Sequence, residues 1–138
     1  MPEHCTYDYA LVRVVPRVER GEFVNVGAIV SSDALGYLKA GFALDEARLL
    51  ALDPYLDLAP IRAALGAMAA VCVGGDAAGA IGRLPLRERF HWLVAPRSTS
   101  IQTSAVHTGR CTDLDAVLEG LVERMVRPPT RPHGAPSA

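Results

Sequence analysis

The segment that decides the fold reads Glu19-Arg20-Gly21-Glu22-Phe23-Val24-Asn25-Val26-Gly27-Ala28, where a charged loop turns into a strand. Side chains of a strand point alternately to its opposite faces. The even positions from Val24 to Ala28 are all apolar, and they are predicted to face the core. Asn25 and Gly27 then lie on the opposite face, where burial of apolar surface does not explain them. That face is the first candidate for a functional surface.

The strand before this loop, at about 7–15, shows the same two-residue period, with apolar residues at its even positions. A shift of one residue would exchange the two faces, so the alternation constrains how the two strands pair. The predicted register pairs Val14 with Val24, Val12 with Val26, Ala10 with Ala28, Arg13 with Asn25 and Leu11 with Gly27. Gly27 would then leave a notch on the polar face, between Tyr9, Leu11 and Arg13.

The rest of the chain predicts strands and helices whose ends are marked by proline, glycine and aspartate. The predicted elements are strands over 23–31 and 37–43, a helical turn over 45–52, helices over 58–73 and 85–94, a fourth strand over 98–107 and a final helix. That helix begins at a capping box of Thr112 and Asp115, carries an apolar stripe from Leu114 to Met125 and ends before Pro128. The pattern predicts one α+β domain over 1–127 and a disordered Pro-rich tail over 128–138. The expected architecture is a two-layer sandwich, with an antiparallel sheet of about four strands and helices packed on one face.

The composition excludes several classes of protein. Half of the 138 residues are apolar and the net charge is −1, so the chain can bury a core and lacks the basic surface of a dedicated duplex-DNA binder. No apolar run reaches the length of a membrane span, and the polar residues at 1–5 do not resemble a signal peptide. We therefore expect a cytoplasmic protein with no cofactor, in which the three cysteines are free thiols.

Six polar side chains are candidates for a binding surface: Arg13, Arg20, Glu22, Asn25, Arg89 and Arg97. In a structural interpretation they bond to one another or to turn backbone, and Gly27 relieves crowding. In a functional interpretation the guanidinium groups bind a small anion or a carboxylate through paired hydrogen bonds. A third interpretation makes Glu22 a general base, although no second carboxylate or histidine lies near it in sequence.

Two further groups of residues admit a functional interpretation. His107 and Cys111, together with His4 and Cys5, are residue types that bind zinc, but their spacing matches no common zinc motif, so no metal site is predicted. Trp92 is the best candidate for an exposed aromatic anchor of an interface. The alternative for Trp92 is a half-buried place in the core.

A set of motifs extends over most of the chain. It comprises Tyr9, Arg13, Pro16, Arg20-Gly21-Glu22, Asn25-Val26-Gly27, Glu88-Arg89-Phe90 with Trp92, Ala95-Pro96-Arg97-Ser98-Thr99 and His107-Thr108-Gly109. Together the motifs resemble a bacterial family known as domain of unknown function 3037, over about 7–126. That family has no established activity, and its members tend to be encoded beside HipA-type kinase-like proteins. The resemblance implies a partner role by association alone.

We expect a non-enzymatic partner or adaptor domain of a HipA-type kinase-like protein, which uses the hairpin residues and the Trp92 segment as contact surfaces. The alternative is a protein or enzyme that binds a small anion or carboxylate with Arg13, Glu22 and Asn25. Nucleic-acid processing in a bacterial conflict system is a weaker alternative, since the net charge is negative. Assembly into a homo-oligomer is left open. Convergence of the three side chains in a concave pocket would favour the ligand, and a flat layout would favour the partner.

Overall fold

A computed structural model describes residues 4–130 and Pro132. An antiparallel sheet of five strands forms its centre, with β1 between two sets of partners. The strands are β1 (Cys5–Val14), β2 (Val24–Ser32), β3 (Tyr37–Phe42), β4 (Ile101–Thr103) and β5 (His107–Cys111). On one side β1 pairs with β2, which pairs with β3, and on its other side β1 pairs with both β4 and β5. The predicted α+β class with an antiparallel sheet is confirmed.

Helices connect and cover this sheet. They are α1 (Glu46–Leu52), α2 (Leu58–Val73), α3 (Gly79–Gly82), α4 (Leu86–Leu93) and α5 (Leu114–Leu121), with 3-10 turns at Val18–Arg20 and Asp76–Ala78. Aspartates cap three of the helices, because the side chains of Asp45, Asp57 and Asp113 accept hydrogen bonds from backbone N–H groups of the first turn. The predicted capping box at Thr112 is therefore corrected, since the N-cap of α5 is Asp113.

Apolar side chains are buried on both faces of the sheet. One cluster joins β1 and β2 to α2 and α4, and includes Val12, Val14, Val24, Val26, Ile61, Leu65, Phe90 and Leu93. A second cluster joins Ala28 and Val30 to α5 and the turn that follows it, through Leu114, Leu121, Val122 and Val126. The expectation that helices pack on one face only is thus corrected, because α5 covers the face opposite α2 and α4.

A β-bulge in β2 is the physical reason for the second core. Arg13 lies opposite Asn25 and Val14 opposite Val24, as predicted, but Val12 lies opposite Gly27. Val26 is the additional residue, and beyond it the alternation of β2 reverses. Ile29 consequently joins the cluster under α2, while Ala28 and Val30 face α5. The predicted pairs of Val12 with Val26, Ala10 with Ala28 and Leu11 with Gly27 are wrong for this reason.

The predicted fourth strand over 98–107 is reduced to β4, Ile101–Thr103, and a break separates it from β5, His107–Cys111, which was not predicted. Ser104 lies at the break, where its hydroxyl accepts a hydrogen bond of 2.8 Å from the Leu11 backbone N–H. The Ser104 backbone N–H in turn donates to the Leu11 carbonyl. A side chain therefore replaces a backbone acceptor at this point, which ends β4 before the chain resumes pairing as β5.

The end of the last helix departs from the regular α-helix on which the predicted apolar stripe was based. After Leu121 the chain forms a π-helical turn over Val122–Val126. This wider turn shifts the positions that follow, so Val126 is buried and Met125 is 44% exposed. Met125 is therefore not part of the buried stripe. Most of the predicted disordered tail, 128–138, lies outside the described residues.

Candidate functional site

Arg20 and Glu22 bond to each other at the turn before β2. The Arg20 Nε donates to a Glu22 carboxylate oxygen at 2.5 Å, and both side chains are exposed. The hydrogen bond to Glu22 is the main reason that the pKa of Arg20 lies above its usual value. Gly21 between them has a φ of 72°, a conformation that glycine adopts without strain. This pair fits the structural interpretation of a local turn contact.

Arg13 and Asn25 face each other across β1 and β2. The Arg13 guanidinium carbon lies 4.1 Å from the centroid of the Phe23 ring. The Asn25 amide donates to the Met125 carbonyl at 3.1 Å, which ties β2 to the π-helical turn. The Arg13 Nε and the Asn25 Oδ1 are both buried, and neither has a hydrogen-bond partner among the residues that the structure describes. One of these atoms is a donor and the other an acceptor, so the pair offers no purely cationic cradle for an anion.

Gly27 does not form the predicted notch on the polar face. It lies opposite Val12 and beside Phe42 of β3. A Cβ at position 27 would overlap the Phe42 ring and would come within 2.7 Å of the Gly41 carbonyl oxygen. The Phe42 ring and the Gly41 carbonyl therefore occupy the space that a side chain at position 27 would need.

Arg89 secures the end of α2. Its guanidinium donates to the carbonyls of Val71 and Cys72 at 2.8 Å, and to the carbonyl of Leu84 at 3.0 Å. These hydrogen bonds satisfy carbonyls that a helix end leaves without partners. Arg89 therefore holds the end of α2 against the start of α4, which is a structural role.

Arg97 and Trp92 form one unit at the end of α4. Arg97 donates to the carbonyls of Leu93 and Trp92 at 2.9 and 2.8 Å. Its guanidinium carbon lies 4.7 Å from the centre of the Trp92 ring system, at cation–π distance. The indole is held in place by this contact while 40% of Trp92 is exposed.

An open groove of 480 Å³ lies beside Trp92, between α2 and the segment that leads into β4. Most of its wall is apolar, and its lining residues are Ala64, Ala67, Met68, Trp92, Arg97, Thr99, Ser100 and Ile101. The sequence indicated Trp92 and Arg97 but not the α2 side of the groove. The spacing of Ala64 and Ala67, which places two small side chains on one helix face, is the signal that could have shown it.

The predicted site residues therefore come together in pairs and do not converge on one site. Glu22 bonds to Arg20, Asn25 bonds to Met125 and the Arg13 guanidinium stacks on Phe23. Trp92 and Arg97 lie in the groove, at the end of α4. Within residues 4–130, no three His, Cys, Asp or Glu side chains are grouped so that they could hold a metal ion. None of the described helices combines the length and apolar character that a bilayer crossing requires.

The model of a protein family described as "Protein of unknown function (DUF3037)" matches residues 9–126. This match covers nearly all of the sheet and both sets of helices. The chain belongs to DUF3037. No curated protein and no solved structure matches this DUF3037 protein significantly. The resemblance seen in the hairpin motifs is thereby confirmed.

Proposed function

We propose that this DUF3037 protein is a non-enzymatic adaptor that binds a protein partner through the groove beside Trp92. The observation that carries the proposal is the groove itself, a largely apolar opening of 480 Å³ with a positioned tryptophan on its rim. Partly exposed aromatic side chains that neighbouring groups hold in place supply much of the energy of protein interfaces. Arg97 keeps the indole in one orientation, which reduces the entropy lost on binding.

The partner that we propose is a HipA-type kinase-like protein, which is the association that the family resemblance implies. Covering the apolar wall of the groove would require an apolar side chain from that partner. Arg97 and the hydroxyl groups of Thr99 and Ser100 at the rim suit polar contacts around such an anchor. The partner surface is therefore expected to carry an apolar residue with polar neighbours.

The layout of the hairpin residues supports a partner rather than a small anion. Arg13 stacks on Phe23, whereas Glu22 bonds to Arg20 and Asn25 bonds to Met125. The buried Asn25 Oδ1 is an acceptor that would repel an anion near Arg13. Catalysis by Glu22 has no support from a neighbouring base, since its only hydrogen-bond partner among the described residues is Arg20.

The test measures binding of the purified protein to the HipA-type kinase-like protein encoded nearest to it, by titration calorimetry. Trp92→Ala is expected to weaken binding about tenfold or more, as removal of an aromatic anchor does. Tyr55→Ala is the matched control, since Tyr55 is an aromatic residue that is 87% exposed and lies outside the groove. Thermal melts establish that both variants are folded.

Equal affinities for the wild type and Trp92→Ala would contradict the groove as the contact surface. An equal loss in Tyr55→Ala would show that exposed aromatic area, rather than the groove, is responsible. Failure of the wild type to bind the kinase-like protein would contradict that choice of partner.

A further inference from the structure

Two of the three cysteines are brought together by the sheet, although 106 positions separate them. Cys5 is the first residue of β1 and Cys111 is the last residue of β5, and the antiparallel register places them directly opposite each other. The Cys5 thiol donates to the Cys111 carbonyl with an Sγ–O distance of 3.5 Å. Both residues are partly exposed, whereas Cys72, near the end of α2, is buried in the core.

The geometry of this pair is close to that of a disulfide. Directly opposed residues of an antiparallel pair have Cβ atoms roughly 4.5–5.5 Å apart. A disulfide requires a Cβ separation of about 3.5–4.5 Å, so closure needs a shift of about 1 Å. Because Cys5 and Cys111 lie at the ends of their strands, such a shift disturbs no pairing beyond them. The partial exposure of both residues gives an oxidant access.

We propose that Cys5 and Cys111 form a reversible intramolecular disulfide when the protein meets a low-molecular-weight disulfide oxidant. The thiolate of one cysteine attacks a sulfur of the oxidant, and one thiolate of the oxidant leaves. The thiolate of the second cysteine then attacks the mixed disulfide, and the second oxidant thiolate leaves. Two electrons pass from the cysteine pair to the oxidant, whose two halves take up the two protons as thiols. An added thiol reverses both steps.

Burial affects how readily the Cys111 and Cys72 thiols ionise. Burial is the largest cause that raises the pKa of Cys111. A hydrogen bond with the Asp113 backbone partly opposes that rise, and Cys5 and the Asp113 charge add to it. A raised pKa reduces the thiolate fraction near neutral pH. Cys72 remains outside this chemistry because burial raises its pKa to about 11 and removes it from solvent.

The experiment incubates the reduced full-length protein with oxidised glutathione, alkylates it in denaturant and measures its mass. Before oxidation all three thiols are alkylated. After oxidation a single alkylated thiol is expected, and peptide mapping should place it at Cys72 and the disulfide between Cys5 and Cys111. Cys5→Ser and Cys111→Ser are matched controls, because neither can close the bond. Each is expected to carry at most a mixed disulfide with glutathione.

A wild-type protein that keeps all three thiols under an excess of oxidised glutathione would overturn the proposal. A disulfide that includes Cys72, or one that links two copies of the chain, would overturn it as well. The disulfide should also raise the melting temperature of the wild type, since it closes a loop of most of the chain. Cys5→Ser, treated in the same way, is expected to show no such rise.

Discussion

Gly27→Ala is the substitution that most directly tests the bulge in β2. The added Cβ would overlap the Phe42 ring and would come within 2.7 Å of the Gly41 carbonyl oxygen. The Phe42 ring can rotate to some extent, but Gly41 is held by its pairing with Ala28 in the sheet. The backbone contact therefore cannot be relieved without moving β3 relative to β2.

The expected loss of stability follows from the rigidity of the contact with the Gly41 carbonyl. Forcing one additional carbon into a packed core costs about 1–3 kcal/mol. Because one of the two neighbours is backbone, we expect the upper end, about 3 kcal/mol, which lowers the melting temperature by roughly 10 °C in a domain of this size. Gly66→Ala is the matched control, since Gly66 lies in α2 and a Cβ there would meet nothing within 4 Å. The free energy of unfolding of that control should rise by about 0.5–1 kcal/mol, because alanine favours a helix interior more than glycine does.

Urea unfolding of the wild type and both variants measures these differences as shifts in the midpoint at a constant slope. We expect Gly27→Ala to lower the free energy of unfolding and Gly66→Ala to raise it. A Gly27→Ala variant within about 0.5 kcal/mol of the wild type would refute the placement of Gly27 against Phe42. It would instead support the notch on the polar face that the unbroken alternation predicts.

Three further predictions concern the buried face of α5, the end of α2 and the hydrogen bond from Tyr37 of β3 to Asp115 of α5. Leu121→Ala should destabilise by about 2–5 kcal/mol because Leu121 is only 3% exposed, whereas Met125→Ala at 44% exposure should cost less than about 1 kcal/mol; urea unfolding compares the two. Arg89→Lys should lower stability by about 1–3 kcal/mol, since one ammonium nitrogen cannot reproduce the guanidinium fork whose Nε and Nη1 reach carbonyls on two segments, and it should leave partner affinity unchanged in calorimetry. The pKa of Asp115 is lowered, chiefly by the hydrogen bond from Tyr37, so its contribution to stability is present above its unfolded pKa and is lost as the pH falls through its folded pKa. Melting temperatures over a pH series should therefore show Asp115→Asn below the wild type at neutral pH and equal to it in acid.

Patterns within short segments predicted much of the fold. The two-residue period of β1, the helix of 58–73 after its aspartate cap and the pairing of Arg13 with Asn25 were all predicted correctly. Each of these predictions depends on residues of a single element or of two strands that follow each other in the chain. The family was also recognisable, because its motifs are conspicuous in the linear sequence.

The roles of the polar residues were decided by tertiary structure. Arg89 and Arg97 belong to the family motifs, but only the folded chain shows that they bond to carbonyls at the ends of α2 and α4. The Trp92 groove likewise forms from α2, α4 and the segment before β4, which no local pattern brings together. Residue type indicates which groups a side chain can form hydrogen bonds with, whereas the folded structure decides which of those groups lie within reach.

The sequence by itself determined that this protein has an α+β fold with an antiparallel sheet, since alternation and capping are local properties of the chain. Only the tertiary structure decided that both faces of that sheet are buried. One residue, Val26, reverses the alternation of β2, and a periodic pattern contains no signal for such an insertion. The bulge is stabilised by contacts from distant segments, including the bond from Asn25 to the Met125 carbonyl across 100 positions. Those contacts exist only once β1, β2 and the final helix have packed together.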